Sequence, residues 1–299
     1  MFARPGLPRF DYVRATSPEE AVRLLEEYGG EARLLMGGTD LLPGLRDDLF
    51  QPQLVIDVKP IPSLRQIVFD PDEGLLVGAA VTMNEIERHP DIREHYPLLS
   101  QAAGAVASYQ IRNRATIGGN LCNASPCADT APAVLVLEGE LDLYGPEGTR
   151  RVPASAFFVG PGRTALQPTE LLTAIRFPGP RARTAARYLK LGRCKSGDLS
   201  LVGVAVEGQA NGPADGYSFR IGLGSVAPVP LRALEAEAIL AAAEPGEEAF
   251  VRAADQAKAV ANPITDVRGT AGYQQAMVRT LTLRALRDVW NQLRSGSRG

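Results

Sequence analysis

The sequence predicts an α+β fold in two parts, and three observations lead there. Up to Phe177, short strand-like runs alternate with short helical patterns. Pro178-Gly179-Pro180 then interrupts the chain. Beyond it, three strand-like runs come in succession and give way to three long helical patterns, the order of an antiparallel sheet covered by helices. At 299 residues there is enough chain for two cores. A hydrophobic fraction of 45% and a charged fraction of 22% are those of an ordinary globular protein. A net charge of −2 gives no electrostatic reason for a nucleic-acid or anionic-membrane partner.

The elements follow in order. Ser17-Pro18-Glu19-Glu20 starts a helix with a capping hydroxyl, a proline at the first helical position and acids in the first turn. Ala21, Leu24, Leu25 and Tyr28 recur at helical spacing, and Gly29-Gly30 ends the run. Leu34–Met36 and Leu54–Asp57 read as strands, making a small β-α-β lobe that closes near Lys59-Pro60. Ile67–Phe69 and Leu75–Val77 are strands joined by a turn. Thr82 and Glu85 form a capping box. Pro97–Val106 and Thr130–Leu137 read as helices, Leu141–Tyr144 and Thr149–Val152 as a hairpin, and Glu170–Phe177 as a strand. Thr184–Leu191, Leu199–Glu207 and Tyr217–Gly222 are the three antiparallel strands. Helical patterns over Leu231–Ala243, Glu247–Val260 and Thr270–Leu293 precede a polar tail, Ser295–Gly299.

Two stretches are organised for binding. Ala115–Asp129 contains Gly118-Gly119-Asn120, with Asn123 and Ser125 close behind. Glycines admit φ > 0 and let a ligand approach bare N–H groups. A run of such groups with no lysine or arginine inside it suits a phosphate or pyrophosphate held by main-chain dipoles. Leu34–Leu42 is a partner to it: an apolar run that stops at Gly37-Gly38-Thr39.

Together and in this order, the two stretches resemble the flavin-binding segments of the FAD-binding medium subunit of molybdenum hydroxylases, the group of CO dehydrogenase and xanthine dehydrogenase. The resemblance extends through Tyr188–Val206 and covers nearly the whole chain. It implies a PCMH-type FAD-binding domain over 1–178, with lobes 1–60 and 61–178, and a CO-dehydrogenase-flavoprotein-like C-terminal domain over 179–299. It also implies that Leu35, Met36, Gly37, Gly38, Thr39, Asp40 and Leu41 wrap the FAD pyrophosphate from one side. Thr116, Gly118, Gly119 and Asn120 would grip it from the other, with the threonine hydroxyl and the amides as donors. Asp129 would accept from ribityl or adenosine hydroxyls, as an ionised carboxylate can. Val106 and Ala107 would lie against the flavin, and Leu171 and Leu172 near the isoalloxazine and adenine. Lys190 would stand by the ring as a cation favouring negative charge on the reduced flavin. Lys195, Gly197 and Asp198 occupy a loop in which Gly197 departs from the acidic form of relatives.

The family implies function too. FAD bridges one-electron iron–sulfur donors and two-electron acceptors. The chain is expected to be an electron-transfer subunit without substrate-binding catalytic residues, fed by a [2Fe–2S] small subunit and a molybdopterin large subunit in a dimer of heterotrimers. Cys122, Cys127 and Cys194 lack metal-ligand spacing and are too few for a four-thiolate cluster. His89 and His95, separated by Pro90, suit neither zinc nor a triad. Two G-x-G-x-x-A matches, at Gly160 and Gly222, are broken by prolines and read as turns. Met1–Gly6 has no apolar leader run and no stretch approaches a membrane span, so a cytoplasmic protein is expected. The alternative is a self-contained PCMH-type flavin oxidoreductase. That reading needs an acid–base constellation, and Tyr188, Lys190 and Asp198 are its only candidates.

Overall fold

The computed structural model describes residues 6–194, 196–212 and 216–296. Its first lobe is a three-stranded parallel sheet in the order β1-β3-β2, built from β1 (Asp11–Arg14), β2 (Ala32–Leu35) and β3 (Leu54–Asp57). α1 (Pro18–Tyr28) makes the first crossover and α2 (Leu41–Arg46) lies in the second. The α1 start is the one expected: Ser17 accepts the Glu20 amide and Pro18 opens the helix. Strand β2 ends one residue earlier than the sequence suggested, which releases Met36 into the turn. β1 was not anticipated. All four of its side chains are exposed or half-buried, so it lacks the apolar signature of a core strand.

The second lobe is an antiparallel sheet in the order β4-β5-β10-β6-β7. Its strands are β4 (Ile67–Asp70), β5 (Gly74–Gly78), β6 (Glu140–Gly145), β7 (Gly148–Pro153) and β10 (Leu171–Phe177). β8 (Phe158–Gly160) and β9 (Arg163–Thr164) pair as a separate hairpin, so the first dinucleotide-like motif is a turn. Between β5 and β6 run α3 (Met83–Arg88), α4 (Pro90–His95), α5 (Pro97–Gly104), α6 (Tyr109–Arg112), α7 (Ile117–Asn123) and α8 (Thr130–Val136). The capping box at Thr82 and Glu85 is present. Helix α5 stops two residues short of Val106. Every residue of α8 is buried, and α9 (Ala154–Phe157) follows β7.

The last part is a four-stranded antiparallel sheet, β11 (Thr184–Leu191), β12 (Val202–Gly212), β13 (Gly216–Gly224) and β14 (Leu231–Arg232). The two-residue β14 joins the three expected strands and delays the next helix to α10 (Leu234–Ala241), followed by α11 (Glu247–Val260) and α12 (Ala271–Gly296). The polar-tail residues after Gly296 lie outside the described residues. The second dinucleotide-like motif is the end of β13, where a Cβ on Gly222 or Gly224 would strike Pro132 of α8. Its glycines serve close helix-on-sheet packing.

Two cores result. One gathers residues from Ala15 to Phe177 and is joined by Ala186, Tyr188 and Ala205; the other spans Ala185 to Leu293. Strands β11 and β12 therefore face both. Successive side chains point to opposite faces, so Ala186, Tyr188 and Lys190 share the face turned toward α5 and α8.

Candidate cofactor site

The first turn leaves the carboxyl end of parallel strand β2, the position from which open parallel sheets present ligands. Gly38 has φ 75°, which a side chain would strain. The Leu42 amide closes back on the Gly38 carbonyl at 3.0 Å as α2 begins. Among the described residues, the amides of Gly37, Gly38, Thr39, Asp40 and Leu41 find no acceptor in the protein. Five successive amides without a protein acceptor, beside a positive-φ glycine and running into the first turn of α2, are donors available to an anion.

The second motif differs from the expectation. Gly118 and Gly119 lie in the first turn of α7, and neither has a positive φ. Their amides are already used: Gly118 donates to the Ala79 carbonyl at 2.9 Å and Gly119 to the Thr116 hydroxyl at 3.1 Å. The Ile117 amide donates to the Val81 carbonyl and that of Asn120 to the Thr116 carbonyl. The assignment of these amides as pyrophosphate donors is thus corrected: Thr116 takes those of Gly119 and Asn120, and the Val81 and Ala79 carbonyls take those of Ile117 and Gly118. What glycine provides here is room. A Cβ on Gly118 would stand 2.6 Å from the Ala79 methyl, while one on Gly119 would meet only the Thr116 oxygen, at 3.0 Å.

The structure brings the two motifs together. A Cβ on Gly37 would collide with the Arg114 carbonyl, so the first turn rests on the residues leading into the second. Met83 donates to the Ala115 carbonyl at 2.9 Å, and Thr82 and Thr116 form a bridge that holds that lead-in straight. Asn120 accepts the Thr130 hydroxyl at 2.6 Å, which ties α7 to α8.

Asp129 is 5% exposed, and both of its carboxylate oxygens have partners on β11. The Tyr188 hydroxyl donates to Oδ1 at 2.9 Å and the Lys190 ammonium to Oδ2 at 2.7 Å. Burial pushes the Asp129 carboxyl up, and the Lys190 charge and both hydrogen bonds pull against it. Burial and the neighbouring Asp129 charge push the Tyr188 hydroxyl well above its ordinary value. Lys190 also donates to the Ala105 carbonyl at 2.9 Å. Tyr188 and Lys190 therefore do converge, but on Asp129. Asp198 stands apart, with Arg193 hydrogen-bonded to its carboxylate and holding it far below the usual range.

A cavity of about 440 Å³ adjoins this cluster, lined by Ala105, Ala107, Arg112, Lys190 and the loop from Leu191 to Asp198. Lys195 of that loop lies outside the described residues. Ala107 takes φ 41° and its carbonyl accepts the Gly197 amide at 2.9 Å, while Val106 is buried beside it. Leu171 and Leu172 are wholly buried where β10 begins, immediately before Thr173, whose carbonyl accepts the Ala79 amide. They form the packed backing behind the second turn. A larger groove, about 760 Å³, is lined by Glu138, Arg176 and Arg232 and includes none of the assigned residues.

Sequence reading missed the Tyr188–Asp129 bond and the Arg268 guanidinium, which reaches back to the Cys127 sulfur at 2.7 Å. A glycine inside strand β12, Gly203, was a signal for the first, because strand glycines mark close approach. Nothing in the sequence signalled the second. Among the described residues, no group of three or more His, Cys, Asp or Glu is placed to hold a metal, and no helix is long and apolar enough to cross a membrane.

The free amide row, the open space beside Gly119 and the buried carboxylate–ammonium pair fit a dinucleotide carrying a pyrophosphate and sugar hydroxyls. Comparison with known proteins agrees. Residues 8–180 match the FAD binding domain in molybdopterin dehydrogenase, and residues 187–289 the CO dehydrogenase flavoprotein C-terminal domain. The carbon monoxide dehydrogenase medium chain of Hydrogenophaga pseudoflava is 38% identical over 285 residues, 95% of this chain and 98% of that one. The putative xanthine dehydrogenase FAD-binding subunit of Escherichia coli is 29% identical over 93% of this chain and 95% of its own length. A solved structure of the Hydrogenophaga pseudoflava enzyme superposes with a TM-score of 0.91 over 96% of this chain and 99% of that chain. The chain belongs to the FAD-binding medium-subunit family of the molybdenum hydroxylases, of carbon monoxide dehydrogenase and xanthine dehydrogenase type, and is an oxidoreductase flavoprotein subunit.

Proposed function

We propose that this chain carries electrons for a larger complex and oxidises no substrate by itself. It takes them from a [2Fe–2S] small subunit, which a molybdopterin large subunit reduces, and delivers them to an external acceptor. The complex is read as a dimer of such heterotrimers. The observation that supports this most is the end-to-end match to a chain named a medium chain, 95% of this sequence against 98% of that one. The division at 178/179 separates the cofactor part from the sheet that closes over it.

Bound FAD supplies the conversion between one-electron and two-electron transfer. The chain's own residues bind and orient it. The amides from Gly37 to Leu41 hold the pyrophosphate, with Leu35 and Met36 leading into the turn. Thr116, Gly118, Gly119 and Asn120 form the opposite wall, where Gly119 leaves open space and Thr116 braces the helix. Asp129 and Lys190 meet the polar edge of the cofactor as a buried ion pair, Val106 and Ala107 flank the flavin, and Leu171 and Leu172 exclude water from behind.

The test is anaerobic. The purified chain is loaded with FAD and mixed with CO, hypoxanthine, nicotinate or an aldehyde, first alone and then with the two partner subunits. Flavin bleaching with one substrate only in the presence of partners is the expected result. Rapid bleaching by the chain alone would move the assignment to a self-contained oxidoreductase.

A further inference from the structure

We propose that Tyr188 is a positioning residue of the cofactor site, seated by Gly203 and holding the Asp129 carboxylate between its own hydroxyl and the Lys190 ammonium. The inference rests on the FAD reading above and adds a residue that reading does not use.

Tyr188 and Lys190 lie two positions apart on β11, so their side chains leave the same face. Both reach one carboxylate, one on each oxygen, at 2.9 and 2.7 Å. Tyr188 is 7% exposed, so its hydroxyl has little water to donate to and is committed to Asp129. Opposite Lys190 in the ladder stands Gly203. A Cβ there would be 2.8 Å from the Tyr188 hydroxyl oxygen and 3.5 Å from the Ser200 hydroxyl. Glycine weakens a strand interior, and the close approach of the tyrosine hydroxyl accounts for it here. The second Lys190 bond, to the Ala105 carbonyl, ties the same cluster to the segment carrying Val106 and Ala107.

The consequence is a fixed pair of charges in a buried place. Alone, Lys190 would share the carboxylate with whatever donor burial admits. The Tyr188 hydrogen bond favours the ionised form of Asp129 against the effect of burial and orients it, and each oxygen keeps a lone pair for a cofactor hydroxyl. The charged and titratable groups acting on Asp129 among the described residues are Lys190 and Tyr188. Behind Tyr188 sits Cys127, held by Arg268 of the segment before α12, whose other side is bound by Asp266.

The full-length apoprotein is titrated with FAD from mildly acidic to mildly alkaline pH as wild type, Tyr188→Phe, Gly203→Ala and Asp129→Asn. Loss of the tyrosine donor makes the Asp129 carboxyl easier to protonate, so Tyr188→Phe should bind FAD about tenfold more weakly than wild type on the acid side. On the alkaline side the two should converge. Gly203→Ala, which displaces the hydroxyl while keeping it, should shift the profile in the same direction. Asp129→Asn should lose the acid-side dependence altogether. A merely structural tyrosine would weaken binding equally at every pH, so a Tyr188→Phe profile parallel to wild type overturns the proposal. So does an Asp129→Asn variant that keeps the wild-type acid limb, and this arm decides if Tyr188→Phe does not fold, as circular dichroism would reveal. Failure of the wild type to bind FAD at any pH would instead refute the FAD reading itself.

Discussion

Gly118 and Gly119 are neighbours with the same side chain, yet the structure predicts opposite consequences for adding one methyl group to each. At Gly118 the new Cβ would stand 2.6 Å from the Ala79 Cβ and 2.7 Å from the Ala79 carbonyl, which accepts the Gly118 amide. Neither atom is the end of a flexible side chain, so α7 must move off β5. Overpacking of this kind costs about 1–3 kcal/mol, and stretching the amide bond adds about 1 kcal/mol. The alanine returns about 1 kcal/mol in helix propensity. Gly118→Ala should therefore destabilise the apoprotein by about 2 kcal/mol. At Gly119 the only close atom is the Thr116 hydroxyl at 3.0 Å, and the propensity gain is the same. Gly119→Ala should leave stability within about 1 kcal/mol of wild type. On the proposed site its methyl group projects into the cofactor wall, so FAD affinity should fall at least about tenfold. Urea unfolding of apoprotein and FAD titration separate the two effects. A Gly118→Ala apoprotein as stable as wild type would refute the packing argument. Unimpaired FAD binding by Gly119→Ala would remove α7 from the cofactor wall.

Two other perturbations test the scaffold. Burial opposes the Asp57 charge, but Lys59 at 2.6 Å and Tyr12 at 2.5 Å hold the carboxyl below its ordinary value. A depressed folded pKa contributes stability above the unfolded value near 4 and loses it as pH falls, so Lys59→Met should cost about 1–2 kcal/mol at neutral pH in urea unfolding, with the gap closing below about pH 4. Burial pushes the thiol of the half-buried Cys122 up to about 12, whereas Cys194 is exposed, so a thiol reagent at mildly alkaline pH should label Cys194 much faster than Cys122. Equal labelling rates at the two cysteines in the native protein would refute the shielding of Cys122.

Much of the scaffold was legible because it rests on local rules. The caps at Ser17 and Thr82 and the paired runs of β6 and β7 lie where side-chain chemistry alone puts them. Strand β1 was not, since an edge strand with no buried residue has no periodicity to read. The glycines of the second motif were assigned to the cofactor for a backbone freedom that neither of them uses. Sequence cannot tell a glycine that supplies φ > 0 from one that supplies room, because the difference is a neighbour, Ala79, about forty residues away in the chain. The same limit hid Tyr188. Its partner Asp129 is 59 positions earlier, and the only local trace of the contact is a glycine on the adjacent strand.

These long-range contacts divide the site between the two parts of the chain. The first Gly-Gly turn offers free amides and no cation, so on the proposed site it can hold a pyrophosphate but does little to distinguish what is attached to it. Discrimination requires charged or hydroxyl groups fixed in place, and the first part contributes Asp129 alone to the buried cluster. Its counter-charge and second donor both come from β11, beyond the Pro178-Gly179-Pro180 break. Without β11, Asp129 would be a buried carboxylate with no partner, a state that costs several kcal/mol or ends in protonation. On the proposed site the C-terminal sheet supplies both partners of Asp129, and a chain cut after Phe177 should keep the amide row while losing the ionised Asp129. Such a truncation should bind FAD weakly and without the acid-side loss of affinity expected of the full-length chain. Binding equal to that of the full-length chain at every pH would show that the two parts work independently.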